Sequence, residues 1–236
     1  MSHVVKKART EQLLLETYVK TPTVTDESST TVDVDVDAVS TKILQLLDPT
    51  KLDKYIPRTV VGDGNCFYRA ISLSMYNNED DHIYARLKTA IELCLHRSHY
   101  DVQSPTYTGH INDASIVVSG YWSLLALAIT PGGYSELMHI YACSAALDHA
   151  IESYYPLQSD VTSSFSRNVT GRDVTTNATT GVTCLMWTSI SVPAAKTSFT
   201  PNHFSWLQKK TDHAIHDNSS FNISGSFCQP EDIAER

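Results

Sequence analysis

The stretch that most constrains the fold is VVGDGNCFYRAISLSMY, residues 60–76. Gly62 and Gly64 bracket Asp63, and glycine lets a backbone turn sharply and present consecutive N–H groups outward. After the turn, apolar and small side chains recur at the spacing of one helix face, namely Phe67, Ala70, Ile71, Ser74 and Met75. The pattern therefore predicts a buried helix that begins at Cys66 or just before it.

The position of Cys66 favours thiol chemistry. A thiol is only a few per cent ionised at neutral pH, and both a helix N-terminus and an imidazolium favour the thiolate. Outward N–H groups in the turn, at Gly64, Asn65 and Cys66, are the arrangement that an oxyanion hole requires. The alternative is that Cys66 is simply a small buried side chain at a helix start.

A nucleophilic cysteine needs a general base, and the chain has ten histidines. His203 stands out because PNHFSWL places it at the start of a short apolar strand, directly after a loop that contains proline. Strand alternation sends His203, Ser205 and Leu207 to one face. A rigid strand end is a suitable place for a catalytic imidazole, although a histidine in a strand can also be purely structural.

Bulk composition predicts one soluble domain with tails. The chain has 236 residues, 42% of them hydrophobic, and a net charge of −8 without a dense Lys/Arg run, which argues against nucleic acid as a partner. No apolar run approaches the ~20 residues of a membrane helix, and the N-terminus does not resemble a signal peptide. Five dispersed cysteines without a CxxC pair suit a reducing compartment rather than a disulfide framework or zinc site. We therefore expect a cytoplasmic protein with no membrane partner, no cofactor and no metal.

The chain divides by composition into three parts. Residues 1–40 are rich in Thr, Ser, Val and Asp and predict a flexible acidic arm, and residues 211–236 predict a polar tail. Residues 41–210 form the predicted domain. It opens with a helix in STKILQLLDP, capped by Ser40 or Thr41 and ended by Pro49.

Within this domain the order of patterns is helices first and strands later. Helices are predicted over DHIYARLKTAIELCLH, YWSLLALAI and PGGYSELMHIYACSAAL, and strands over AIESYYP, VTCLMWTSI and HFSWLQK. In the first of these helices the apolar stripe is Ile83, Leu87, Ala90, Ile91 and Cys94. Residues 158–181 predict a long surface loop. The order predicts an α+β fold with helices packed around a small, mostly antiparallel sheet.

Three motifs in this order resemble one protein family. GDGNCFYRAIS resembles the cysteine box of the OTU (ovarian tumour) family of deubiquitinating cysteine peptidases. GGYSEL is similar to the family's W-G-G-x-x-E-L segment, with Pro131 in the place of the tryptophan, and NHF is similar to its terminal histidine motif. The resemblance covers roughly residues 55–210. A finer resemblance, to vertnin-like or mobile-element-associated animal proteins, rests on SLSMYNNEDDH, YSELMHIYACSAAL and PNHF.

The resemblance implies roles for individual residues. Cys66 becomes the nucleophile and His203 the general base, while Asp63 shapes the oxyanion loop and helps to orient the histidine. The family usually has Asp or Asn two residues after the histidine, where this chain has Ser205. A hydroxyl cannot stabilise an imidazolium as a carboxylate does, so Asp63 or Asn202 is the alternative orienting group.

The implied activity is hydrolysis of isopeptide bonds between ubiquitin, or a ubiquitin-like protein, and lysine through a thioester acyl-enzyme. The implied partner is ubiquitin or a ubiquitin chain. The departure at Ser205 keeps a second hypothesis open, an OTU-like module that binds ubiquitin or another protein with little or no turnover.

Overall fold

The computed structural model describes residues 34–109, 119–156, 163–172 and 181–210. Most of the predicted N-terminal arm, the whole C-terminal tail and much of the predicted loop 158–181 lie outside these residues. The described part contains seven α-helices: α1 Ala38–Leu47, α2 Lys51–Lys54, α3 Cys66–Tyr76, α4 His82–Leu95, α5 Arg97–Tyr100, α6 Tyr121–Ile129 and α7 Leu137–Leu147. Its five strands are β1 Tyr55–Arg58, β2 Ile151–Tyr154, β3 Arg167–Val169, β4 Thr183–Thr188 and β5 His203–Lys209.

The five strands form one sheet in the order β1-β5-β4-β2-β3. Neighbouring strands are antiparallel except for β2 and β4, which are parallel. The predicted α+β class with a mostly antiparallel sheet is therefore confirmed. The sequence did not reveal β1, because Pro57 cannot donate to a strand ladder and so argues against a strand; the structure accommodates Pro57 in a strand at the sheet edge.

Helices cover both faces of the sheet around β4 and β5. On one face α3 packs against β5, where the Phe67 and Phe204 rings lie 5.6 Å apart, and Trp187 of β4 lies 4.5 Å from Phe204. Thr188 follows Trp187 and points to the opposite face by strand alternation, where its hydroxyl meets Ser40 of α1. The active-site candidates at the starts of α3 and β5 thus lie at one end of a doubly covered sheet.

Helix α1 begins earlier than predicted. Its N-cap is Asp37, whose side chain accepts hydrogen bonds from the backbone of Val39 and Ser40, rather than Ser40 or Thr41. The predicted boundary at residue 40 falls inside this helix. The division of the chain into arm, domain and tail otherwise stays a prediction.

The predicted apolar stripe of α4 is only partly confirmed. Ala90 and Ile91 are buried and Cys94 packs against the core, but Ile83 and Leu87 are 58% and 42% exposed. In the N-terminal half of the helix the buried positions include the polar residues Arg86 and Thr89, which donate to backbone carbonyls, so apolar spacing alone does not find them.

Two further elements differ from their predictions. Helix α7 starts at Leu137 instead of Tyr134, because Glu136 and His139 form a reciprocal cap that fixes its first turn. The predicted loop 158–181 contains the short strand β3 and a 3-10 turn at Ser163–Phe165 within its described part.

Candidate active site

Cys66 is the first residue of α3, as predicted, and is 3% exposed. The backbone N–H groups of Phe204 and Phe67 donate to its sulfur, which favours the thiolate. Burial outweighs these amides and raises the pKa of the thiol above its ordinary value. Cys66 therefore needs a partner that accepts its proton.

The glycine turn before Cys66 has a shape that only glycine allows at its centre. Gly64 has a φ of +80°, and a Cβ placed there would lie 1.9 Å from the carbonyl oxygen of Gly132. The turn is therefore packed directly against the backbone of a second turn, Pro131–Gly133, which is the Pro-Gly-Gly segment of the sequence.

Asp63 holds the conformation of the first turn. Its carboxylate accepts hydrogen bonds from the Asn65 backbone at 2.9 Å and from Nε and Nη2 of Arg69 at 3.1 and 2.8 Å. These bonds keep the pKa of Asp63 well below its usual range. Since the Asn65 amide is used in this way, the candidate oxyanion donors that remain in the predicted set are the N–H groups of Gly64 and Cys66.

Asn65 contributes through its side chain instead. Its Oδ1 accepts a hydrogen bond from the backbone N–H of Gly132 at 3.1 Å. Asn65 thus joins the two glycine turns. This contact gives the GG motif a structural role beside the cysteine box.

Arg86 of α4 holds the same two turns through hydrogen bonds to their carbonyls. This role was not predicted from the sequence. The Arg86 guanidinium donates to the carbonyls of Gly64 and Gly133 at 3.1 and 2.8 Å, and to three further carbonyls at Leu127, Ala128 and Thr130. The guanidinium also lies 4.4 Å from the ring centroid of Tyr68. No sequence signal pointed to it, because an arginine in a helix is ordinarily assigned to the solvent face.

His203 is the first residue of β5 and is 5% exposed. A Cβ placed on Gly62 would lie 3.6 Å from Cε1 and 3.7 Å from Nδ1 of His203, so this ring edge faces the turn that leads to Cys66. Nδ1 has no hydrogen-bond partner within the part of the chain that the structure describes. The next residue along the strand, Phe204, donates its backbone N–H to the Cys66 sulfur, so the two candidate catalytic residues lie at adjoining chain segments.

Burial lowers the pKa of His203, and three groups oppose that effect. They are the carboxylate of Asp37, the backbone carbonyl of Val60 and the carboxylate of Asp63, each of which favours the protonated ring. His203 is therefore neutral at rest, in the form that can accept a proton, and sits among groups that stabilise it once it is charged.

Ser205 and Asn202 have other partners. The hydroxyl of Ser205 donates to the Arg58 carbonyl at 2.9 Å, and Oδ1 of Asn202 accepts from the Ile190 backbone at 3.1 Å. Both side chains bond to the backbone of neighbouring segments, so these bonds give neither of them an orienting role toward His203.

An apolar groove of about 350 Å³ opens between α7 and the sheet. Tyr134 connects it to the site, because its ring stacks on Phe204 with the ring centroids 5.8 Å apart. Burial raises the pKa of Tyr134, and the charge of a Cys66 thiolate raises it further. The groove is lined by Tyr134, Glu136, Leu137, Tyr155, Phe165, Trp187 and Pro201. Its walls are mostly apolar, with Glu136 as the charged side chain among them.

Among the described residues, neither a metal-binding cluster nor a membrane-spanning helix is found. Within residues 34–109, 119–156, 163–172 and 181–210 there is no group of three or more His, Cys, Asp or Glu placed to hold a metal ion. In the same ranges no helix has the length and apolar content needed to span a membrane.

Comparison with known proteins gives one family match. Residues 57–122, which include the cysteine box, match the family model described as the OTU domain of vertnin. No curated protein matches the chain.

Several solved structures of OTU domains are similar to this chain at low sequence identity. The OTU domain of OTUD1 is 15% identical, with a TM-score of 0.45 over 72% of this chain and 93% of that chain. The Hazara virus OTU bound to ubiquitin is 14% identical, with a TM-score of 0.41 over 68% and 85%, and the viral OTU domain protease from Dera Ghazi Khan virus is 16% identical, with a TM-score of 0.41 over 68% and 84%.

The matched segment contains the cysteine box, the whole of α3 and α4 and the start of α6, and its cysteine begins α3 as the resemblance requires. This match supports an OTU-family domain in this chain.

Proposed function

We propose that this chain is a cysteine-dependent deubiquitinase that hydrolyses isopeptide bonds between ubiquitin, or a ubiquitin-like protein, and lysine. One observation carries the proposal: Cys66 begins a helix with two backbone N–H groups on its sulfur, and the unpartnered Nδ1 of buried His203 faces the adjoining turn.

The proposed reaction begins with proton transfer from Cys66 to neutral His203. The thiolate attacks the carbonyl carbon of the C-terminal glycine of ubiquitin, and the N–H groups of Gly64 and Cys66 stabilise the oxyanion. His203 then donates its proton to the departing lysine amine, which leaves a thioester on Cys66. In the second half, His203 takes a proton from water, hydroxide attacks the thioester, and the thiolate leaves and regains its proton.

The site around these residues supports the proposal in two ways. Asp63, Asn65 and Arg86 hold the turn that presents the oxyanion donors, so little reorganisation is needed when charge develops. The apolar groove shares Tyr134 with the surroundings of Cys66, and we propose it as the path for the extended C-terminal segment of ubiquitin. Turnover also requires Cys66 as a reduced thiol, which a reducing compartment such as the cytoplasm maintains. The four described cysteines form no disulfide bond with one another.

A second candidate function is ubiquitin or protein binding without turnover. It is favoured by one observation, that the position after His203 where the family has an acid or amide holds Ser205, whose hydroxyl is bonded to the Arg58 carbonyl. Without an acid at that position, the imidazolium loses one source of stabilisation.

Cleavage of di-ubiquitin chains of each linkage, combined with titration of mono-ubiquitin, separates the two functions. The deubiquitinase proposal predicts cleavage that disappears in Cys66→Ala and persists in Cys94→Ala, which removes a thiol from α4. Ubiquitin binding with no cleavage of any linkage would favour the binding module, and neither binding nor cleavage would contradict both.

A further inference from the structure

The imidazole of His203 lacks its usual acidic partner along β5, yet an acid lies on the same face of the sheet. A catalytic histidine needs a group that holds its orientation and favours its charged form. Ser205 does not fill that role because its hydroxyl carries no negative charge and donates its proton to a carbonyl of β1. The carboxylate of Asp37, at the N-terminus of α1, is the acid in question.

Two hydrogen bonds connect this carboxylate to the sheet through Ser40 and Thr188. Oδ2 of Asp37 accepts the hydroxyl of Ser40 at 2.5 Å, and the Ser40 oxygen lies 2.8 Å from Oγ1 of Thr188. Since the only hydroxyl proton of Ser40 is directed to the carboxylate, Thr188 must be the donor in the second bond. Ser40 and Thr188 are both fully buried.

The last residue of this hydrogen-bonded series, Thr188, lies next to His203 in the sheet. Thr188 of β4 and His203 of β5 are direct partners in the antiparallel register. Directly opposed residues of an antiparallel pair place their side chains on the same face of the sheet. The hydrogen-bonded series Asp37–Ser40–Thr188 therefore ends on the sheet face that carries the imidazole, at the strand position opposite His203.

The backbone fixes Asp37 in this place. Its N–H donates to the Pro57 carbonyl at 2.9 Å, and Thr59 donates to the Asp35 carbonyl at 2.9 Å, so the segment before α1 pairs with the end of β1. A bridge between Val36 and Arg58 lies between these two bonds. The second oxygen of Asp37, Oδ1, caps α1 through Val39 and Ser40.

We propose that Asp37 supplies the negative charge that favours the imidazolium of His203, with its carboxylate held at the sheet by Ser40 and Thr188, in the role that the family gives to an acid two residues after the histidine. The inference deepens the proposed function, because it concerns the same base. It assigns a specific role to a residue that the sequence placed in the N-terminal arm.

The electrostatics agree with this assignment. Among the groups that raise the pKa of His203 against burial, Asp37 has the largest effect. The other charged group that acts on the ring is Asp63 in the turn, which is paired with Arg69.

The test is the pKa of His203 in Asp37→Asn, measured by NMR titration of histidine-labelled protein with the signal assigned by its loss in His203→Ala. Asparagine caps a helix as well as aspartate does, so the variant removes the charge and keeps the cap. We expect the pKa to fall by about half a pH unit or more. Asp35→Asn removes the same charge from an exposed side chain two residues away and should leave the pKa unchanged; an unchanged pKa in Asp37→Asn would overturn the proposal.

A second variant, Thr188→Val, breaks the hydrogen-bonded series at the sheet and leaves Asp37 and its cap intact. We expect slower alkylation of Cys66 by iodoacetamide near neutral pH, followed by peptide mass, because an Asp37 carboxylate that is no longer held at the sheet stabilises less imidazolium and therefore less thiolate. A rate equal to that of the unmodified protein would contradict the proposed role of Thr188.

Both measurements are made without ubiquitin, so they separate this inference from the proposed function. If the protein fails to cleave ubiquitin while the His203 pKa falls in Asp37→Asn, the deubiquitinase proposal fails and the proposed role of Asp37 stands. If cleavage occurs and that pKa does not change, the deubiquitinase proposal stands and the role of Asp37 fails.

Discussion

The buried histidine of α7 gives a quantitative prediction about acid stability. His139 is completely buried, its Nδ1 accepts the backbone N–H of Glu136 at 2.9 Å, and its Nε2 lies 2.9 Å from the Leu124 carbonyl. These two contacts require the neutral ring with its proton on Nε2, because a protonated Nδ1 could not accept the bond from Glu136. Burial therefore lowers the pKa of His139 to about 4.

The direction of the pH effect follows from this shift. An unfolded histidine has a pKa near 6.5, so between about pH 6.5 and 4 the unfolded chain binds a proton that the folded chain does not. The contribution of His139 to stability is complete above that window and is lost as the pH falls through it. Between pH 7.5 and 4.5 the loss amounts to about 2 to 3 kcal/mol, from 1.36 kcal/mol for each unit of pKa shift.

Urea unfolding of the unmodified chain and of His139→Gln at pH 7.5 and 4.5 isolates this contribution. Glutamine can donate and accept but does not titrate, and the contributions of all other groups cancel when the two proteins are compared. We expect the variant to be less stable at pH 7.5 and to recover about 2 to 3 kcal/mol relative to the unmodified protein at pH 4.5. A stability difference that is the same at both pH values would show that His139 does not titrate in this window.

Three substitutions test the construction of the site. Gly64→Ala should lower stability by at least about 1 to 2 kcal/mol and abolish the reaction of Cys66 with ubiquitin that carries a C-terminal electrophile, because Gly64 has a positive φ and a Cβ there would collide with the Gly132 carbonyl. Thermal unfolding measures the loss of stability, and Gly120→Ala, whose Cβ would meet nothing within 4 Å, is the control. Arg86→Lys should cost about 1 to 3 kcal/mol in urea unfolding, since one ammonium cannot satisfy the five carbonyls that the guanidinium serves; equal stability would contradict its role beneath the turns. Ser205→Ala should lower stability by about 1 kcal/mol through loss of its bond to Arg58 and leave the rate of adduct formation unchanged; a large loss of rate at full stability would restore Ser205 as an orienting group.

The sequence predicted the parts of the site that depend on local patterns. Cys66 begins a helix because two glycines precede it and apolar residues follow at helical spacing, and His203 begins a strand because PNHFSWL alternates after a proline. Both features are encoded within about ten residues. Residues that act across the fold were not predicted.

Arg86 and Asp37 illustrate why the rest could not be read from the sequence. Arg86 has carbonyl partners between 22 and 47 residues away along the chain, and its own helix offers no local reason to bury an arginine. Asp37 is one of several acids in TVDVDVDAV, and only the pairing of this segment with β1 distinguishes it from its neighbours. The partial error on α4 has the same origin, since Arg86, with its distant partners, occupies a buried position in that helix.

The most direct test of the proposed function is the reaction of the purified chain with ubiquitin that carries a C-terminal electrophile, read by intact mass beside Cys66→Ala and His203→Ala. We expect one covalent adduct, which is absent in Cys66→Ala and forms much more slowly in His203→Ala. No adduct with a folded chain at high probe concentration, or an adduct that persists in Cys66→Ala, would contradict the proposed function.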